Sequence, residues 1–435
     1  MPGSRGPALA VSIDRAAAPQ SLPDWLSYLE RIHPSAIDMG LDRVARVRDR
    51  LGLLPSFPVV AVAGTNGKGS VCVMLESILS SAGYKVGVYT SPHLLRYNER
   101  VRVQGREAAD EELVNAFARI EQVRGEVSLT YFEFGTLAAM DVFIRERVDL
   151  AVLEVGLGGR LDAVNAFDSD CGVVTSVDFD HMEFLGNNRD SIGAEKAGIF
   201  RAGRPAICGE SDAPAGLLRR TKEIGAKLHR IGRDYGFNAD PNQWQFWSAL
   251  GKRSALPYPA LRGDYQLGNA ATALSALEQL TDRLPVDMGA IRRGLLDVQL
   301  QGRFQVLPGR PVVILDVAHN PHAARGLASS LRRLPGGGRT IAVFAMLRDK
   351  DIEGVAAALR DDVDEWLVAG LSSPRGADAE RIRQALATAR VGAPVAKFDT
   401  AVGAYEHAIR SAGQNDKILV FGSFYTVAAV LAARG

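Results

Sequence analysis

The sequence predicts an α/β protein in two parts, the larger one carrying a phosphate loop at the end of a mostly parallel sheet. Three observations carry that expectation. Val59-Val60-Ala61-Val62-Ala63 is apolar without alternation, the pattern of a strand buried on both faces. It runs into Gly64-Thr65-Asn66-Gly67-Lys68-Gly69-Ser70 and then into Val71–Leu79, which has no helix breaker. Further buried-strand patterns end in polar residues, and the strand–helix alternation restarts after Gln299-Leu300-Gln301-Gly302. The expected division is 1–300 and 301–435.

In chain order, residues up to about Ala18 read as a loose arm. Leu22–Glu30 opens a helix, with Asp24 its expected N-cap after Pro23. Leu41–Val47 reads as a second helix, entered through Ile37-Asp38-Met39-Gly40. Beyond the phosphate unit, a strand is expected over Lys85–Thr90, closed by Ser91-Pro92-His93-Leu94. Helices are expected over Glu111–Glu121 and Phe134–Arg145. Buried strands follow at Leu150–Val155 and Cys171–Val177, and an Ala-rich helix from Asn269. Between Gly232 and Gly263 the aromatic residues lack helical spacing, so short antiparallel strands are expected. In the second part, strands are read at Val312–Asp316, Thr340–Phe344, Glu365–Ala369, Val395–Phe398 and Lys417–Phe421. Helices alternate with them at Pro321–Leu334, Ile352–Leu359, Ala379–Ala389 and Tyr405–Ser411.

Composition narrows the class. The 435 residues are 47% hydrophobic and 23% charged, ordinary values for a globular protein. Lys+Arg 51 against Asp+Glu 50 leaves a charge of +1, with no whole-chain bias toward nucleic acid or membrane. Cys72, Cys171 and Cys208 are too few and too scattered for a disulfide framework, and each sits among apolar residues. The start does not read as a secretory signal, and no apolar stretch reaches spanning length. A soluble, cytoplasmic protein is expected.

Strand, Gly-rich turn and helix together aim backbone N–H groups and a helix N-terminus at an anion, and glycine lets the main chain approach it closely. Lys68 can then neutralise outer phosphates, and Ser70 can offer a hydroxyl to magnesium. The general phosphate-loop spacing fails, because only Thr65 and Asn66 separate Gly64 from Gly67 and Gly69 follows the lysine. Glu154 closes an apolar strand, where a carboxylate is costly to bury unless it is paired or binds a cation. Its alternative is a salt-bridged strand end. His181 stands after the next strand and could fall beside Glu154, although a single histidine is more often structural. Ser91 could add a hydroxyl to the same ion. Lys196, in Glu195-Lys196-Ala197-Gly198-Ile199, reads by itself as a solvated charge. Arg303 and Asp316 could face a nucleotide from the second part, Arg offering the planar fork that suits phosphate.

The strings Gly64–Ser70, Tyr89–His93, Thr130–Glu133, Leu153–Asp162, Asp180-His181, Glu195–Ile199, Asp316–His322 and Met346–Asp351 occur in order. Together, over Trp25 to Thr426, they resemble the bifunctional dihydrofolate synthase/folylpolyglutamate synthases of the Mur ligase superfamily. The resemblance implies a Mur-ligase-like ATPase domain with an N-terminal helical arm, and a C-terminal Rossmann-like glutamate-ligase domain. Thr65, Asn66, Gly67, Lys68, Gly69 and Ser70 would wrap ATP, with Asn269, Arg303 and Asp316 also touching it. Ser91, Glu154 and His181 would bind magnesium. Lys196 would be carbamylated and support a second magnesium ion, which reverses its solvated reading. Lys68, His181 and Lys196 would be the catalytic groups. Ile37, Asp38 and Met39, with Thr130, Tyr131, Phe132 and Glu133 and with Leu161, Asp162 and Ala163, would form the dihydropteroate site. The substrates implied are dihydropteroate, tetrahydrofolate and L-glutamate, handled by a monomer. Alternatives are a monofunctional folylpolyglutamate synthase, a cell-wall Mur ligase, and a phosphate-loop ATPase that switches a partner.

Overall fold

A computed structural model describes residues 19–35 and 37–434; the arm expected up to Ala18 lies outside them. The first sheet has eight strands: β1 (Val59–Ala63), β2 (Val86–Tyr89), β3 (Val101–Val103), β4 (Arg106–Glu107), β5 (Leu150–Glu154), β6 (Cys171–Val174), β7 (Pro205–Cys208) and β8 (Lys227–Arg230). Their order is β4-β3-β2-β5-β1-β6-β7-β8. All neighbours are parallel except the β2–β3 and β3–β4 pairs.

The lack of alternation in β1 has a direct cause. Val59, Ala61 and Ala63 join a core with Trp25, Phe117 and Phe134 on one face. Val60 and Val62 join a separate core on the other, with Val71, Leu75, Trp244 and the Ala-rich helix. Each fully buried valine contributes on the order of 2 kcal/mol. The three cysteines are free and buried in these layers.

A small antiparallel sheet, β9 (Tyr235–Ala239), β10 (Trp244–Ser248) and β11 (Gly251–Leu256), caps the second core with Trp244 and Phe246. A third sheet follows, from β12 (Gln305–Leu307), β13 (Val312–Asp316), β14 (Thr340–Phe344), β15 (Glu365–Ala369), β16 (Val395–Phe398) and β17 (Lys417–Phe421). Its order is β12-β13-β17-β14-β15-β16, with only β12 antiparallel. Among the described residues no helix is long and apolar enough to cross a membrane.

Several local expectations shift. Ser21, not Asp24, is the N-cap of the helix Leu22–Leu29, its hydroxyl accepting from the Asp24 N–H at 3.3 Å. Asp24 sits one turn inside, where its charge still favours the helix N-terminus. The Ala-rich helix begins at Tyr265, four residues before Asn269, so Asn269 lies on its inner face rather than at its start. The helices Lys68–Ser81 and Tyr131–Glu146 both begin three residues earlier than their apolar runs. Polar residues open a helix when their groups cap it or line a site, and hydrophobic pattern alone does not register them.

Candidate active site

The ends of β2, β5, β1 and β6 lie side by side and open into one cleft of about 610 Å³. After β1 the chain turns through Gly64 and Gly67. A Cβ on Gly64 would lie 1.9 Å from Thr175 Oγ1, and one on Gly67, at φ +84°, would lie 2.6 Å from Asn269 Oδ1. Only glycine fits there. Gly67 is the N-cap of the helix Lys68–Ser81 and supplies no side-chain cap, so the helix end keeps its N–H groups for an incoming anion.

The loop is fastened from beneath by hydroxyls that follow β6. Thr175 and Ser176 donate to the Asn66 carbonyl at 2.6 and 3.1 Å, and Ser176 Oγ accepts from the Asn66 N–H at 3.0 Å. Lys68 Nζ folds back over the turn, donating to the Gly64 and Thr65 carbonyls at 3.0 and 3.3 Å. Ser70 Oγ accepts from Gln266 at 3.3 Å, and Gln266 accepts from Asn269 at 3.0 Å.

Glu154 is paired in register with Val62 and is 4% exposed. Burial pushes its carboxyl up, against the pull of Lys68, the Ser91 N–H and Arg303. Among the described residues its carboxylate accepts one hydrogen bond, from the Ser91 N–H at 3.2 Å. His181 adopts left-handed backbone, φ +50°, and burial holds its imidazole down at about 4. Lys196 is 3% exposed, and its ammonium makes no hydrogen bond or ion pair among the described residues. Burial first, and Lys68 second, lower its ammonium to about 7. The solvated-charge reading of Lys196 is therefore corrected: the helix end that carries it is packed inside.

The third sheet closes the cleft. Arg303 lies over the Phe424 ring at 5.1 Å and lines the cleft with Asp316, His319 and His322. Both Asp316 oxygens accept main-chain N–H groups, from Phe304 at 2.8 Å and Ala318 at 2.7 Å. Asn320 exchanges two hydrogen bonds with Asn66, at 3.1 and 3.2 Å, across 254 residues of sequence. Arg325 reaches Asp178 at 3.1 Å, and Lys350 reaches Asp180 at 2.6 Å and stands 3.4 Å from His181 Nε2. Burial alone would raise the Asp180 carboxyl, but Lys350, His181 and His319 hold it well below the usual range.

Thus Thr65 to Ser70, Ser91, Glu154, His181, Lys196, Asn269, Arg303 and Asp316 all line this one cleft. None of the residues expected around dihydropteroate is among those that line it, and Ile37 and Asp38 are exposed. Phe132 packs against Gly156, and Met39 and Leu185 against Gly158. Asp38 is turned to Arg43, Thr130 and Glu133 cap each other, and Ala163 is buried. Asp162 accepts from the Leu157 and Val164 N–H groups at 2.8 and 3.0 Å, and burial pushes its carboxyl up to about 7. Sequence reasoning assigned no role to Thr175, Ser176, Asp180, Asn320 or Lys350. Asn320 before Pro321 carried a readable signal, that of an N-cap before a proline at the first helical position.

Two family models match, the Mur ligase middle domain over residues 62–277 and the Mur ligase glutamate ligase domain over 302–424. The chain is 49% identical to the dihydrofolate synthase/folylpolyglutamate synthase of Escherichia coli strain K12, covering 96% of each protein. It belongs to this family of Mur ligases. Among solved structures, Escherichia coli FolC in complex with DHPP and ADP superposes with a TM-score of 0.91 at 48% identity, over 95% of this chain and 98% of that one. A bifunctional folylpolyglutamate synthase/dihydrofolate synthase with Mn, AMPPNP and L-glutamate bound gives 0.88 at 47% identity, again over 95% and 98%.

Proposed function

We propose that the protein is an ATP-dependent ligase that adds L-glutamate to dihydropteroate, forming dihydrofolate, and to tetrahydrofolate or its polyglutamates. The observation that carries this reading is the uncapped helix end at Gly67, with Lys68 on one side, buried Glu154 on the other, and a second domain facing it. The division at about residue 300 then separates a nucleotide-holding part from a part that completes the cleft. The related structures holding ADP, AMPPNP and glutamate support the same assignment.

The N–H groups of Gly67 to Ser70 and the Lys68 ammonium would bind the triphosphate, with Asn269 and Arg303 on the rest of the nucleotide. The pteroyl carboxylate attacks the γ-phosphorus, the bond to the β–γ bridging oxygen breaks, and ADP leaves behind an acyl phosphate. The uncharged amine of glutamate then adds to the acyl carbon, and the tetrahedral adduct expels phosphate and loses a proton. Lys68 offsets the crowding of carboxylate against triphosphate, chiefly by charge and position. Closure by the Arg303 and His319 side keeps water from the acyl phosphate.

Among the described residues no three His, Cys, Asp or Glu side chains form a ready cage. A divalent ion here would draw at least one donor from outside that set. Ser91, Glu154 and His181 supply a hydroxyl, a carboxylate with one hydrogen bond, and a neutral imidazole. That set fits magnesium, which takes few protein ligands and keeps water and phosphate for the rest. When bound, the ion neutralises charge on the phosphates. Lys196, its ammonium weakened by burial, can add to carbon dioxide as a free amine, forming a carbamate and releasing a proton. That anion would support a second ion. The buried thiols suit a reducing compartment, and we place the protein in the cytoplasm as a monomer.

The test is phosphate release with ATP, dihydropteroate and glutamate. Release that requires both acceptors is expected; release indifferent to glutamate overturns the ligase reading, and release with neither acceptor identifies an ATPase.

A further inference from the structure

The loop from His33 to Gly40 carries Ile37, Asp38 and Met39, yet among its described residues no N–H donates a main-chain hydrogen bond to another carbonyl. Its position must come from side chains. One guanidinium supplies most of them. Arg43, in the first turn of the helix Asp42–Leu51, donates from one terminal nitrogen to Asp38 Oδ2 at 2.7 Å and from the other to the Asp38 carbonyl at 2.8 Å. The second nitrogen also stands 3.2 Å from Glu133 Oε1. His33 reaches the same Asp38 oxygen at 3.2 Å and is itself anchored on Ser128 Oγ at 2.7 Å.

Glu133 explains why this matters. It is 3% exposed, and its other oxygen accepts the Thr130 N–H at 2.7 Å in the capping box of the helix Tyr131–Glu146. Among the described residues Oε1 has no hydrogen-bond partner, and its ion pair is with the Arg43 guanidinium. A buried carboxylate oxygen left without a cation is costly, so Glu133 holds Arg43 as firmly as Arg43 holds the loop. The rings and thioether next to these two segments, Phe132 and Met39, abut Gly156 and Gly158 of the cleft.

We propose that Arg43 is a positioning residue for the pteroyl substrate, clasping the 37–39 loop to the start of the helix Tyr131–Glu146 so that the two segments beside Gly156 and Gly158 keep a fixed separation. This rests on the ligase reading above. A planar fork with two terminal nitrogens holds two carboxylates and a carbonyl in fixed directions at once; a lysine's ammonium is a compact point charge without that fork. The loop Gly64–Ser70 shares none of these contacts.

Steady-state kinetics of Arg43→Gln and Arg43→Lys test it, with ATP and dihydropteroate varied separately. Arg43→Gln is expected to raise KM for dihydropteroate by about tenfold or more, leaving KM for ATP and kcat within about threefold. Arg43→Lys should fall between. Equal loss for both substrates, or an unchanged KM for dihydropteroate, overturns the proposal in favour of a purely structural ion pair. If Arg43→Gln does not fold, His33→Ala removes the second contact to the same Asp38 oxygen, and the same split decides. A wild-type enzyme that turns over with dihydropteroate beside a variant of normal KM defeats only this inference. A wild-type enzyme with no such turnover defeats the ligase reading and this inference with it.

Discussion

Two strand-to-helix junctions face each other across the cleft, and they differ in what they leave unsatisfied. After β1 the helix Lys68–Ser81 starts at a glycine with no side-chain cap. After β13 the helix Pro321–Arg333 is capped by its own residue, the Asn320 oxygen accepting the Ala323 N–H at 2.9 Å, and its first residue is a proline. Two lysines differ in the same way. Among the described residues the buried Lys196 ammonium has no hydrogen-bond or ion-pair partner, whereas the half-buried Lys350 is paired with Asp180 at 2.6 Å. The first side is uncommitted, and so can take up an anion and a cation. The second is already satisfied, and its polar groups serve to hold the two domains in register.

Lys68→Ala breaks the contrast at its centre. Loss of more than about a thousandfold in phosphate release is expected, with the circular dichroism spectrum unchanged; a near-normal rate in a folded variant removes the phosphate assignment. Lys196→Ala tests whether the unpartnered amine is the reactive group. A loss of about a hundredfold, partly restored by short carboxylic acids, is expected, and restoration by added amines instead would contradict a carbamate. Gly67→Ala should weaken ATP binding by about tenfold, because the added methyl meets the Asn269 amide and the backbone resists φ +84°; calorimetry reads it. On the satisfied side, Asn320→Ala should cost about 1 kcal/mol of stability in urea unfolding for the lost cap, with the smallest effect on ATP affinity. If Asn320→Ala harmed ATP binding more than Gly67→Ala, the division into uncommitted and committed ends would be wrong.

Much of this was readable without coordinates, for stated reasons. Val59–Ser70 declares itself because a strand covered on both faces, a glycine turn and a helix must be contiguous in sequence. Glu154 was readable because a carboxylate ending an apolar run is costly. The pairings between halves were not, since Asn66 and Asn320 are 254 residues apart and each alone is an ordinary loop amide. Lys350 is likewise one of many lysines until Asp180 is placed beside it. Edge strands such as β4, two exposed residues long, have no periodicity to detect. The capping role of Ser21 was missed because Asp24 satisfied the same rule from three positions away.

The placement of the thiols gives the protein a built-in reporter. Cys72, Cys171 and Cys208 all lie around the eight-stranded sheet, and the six-stranded half has none. A thiol-labelling reagent therefore times the opening of the eight-stranded half alone and is blind to loosening of the other. Comparing its rate with a fluorescence signal from Trp366, buried in the six-stranded half, separates the order in which the two halves come apart.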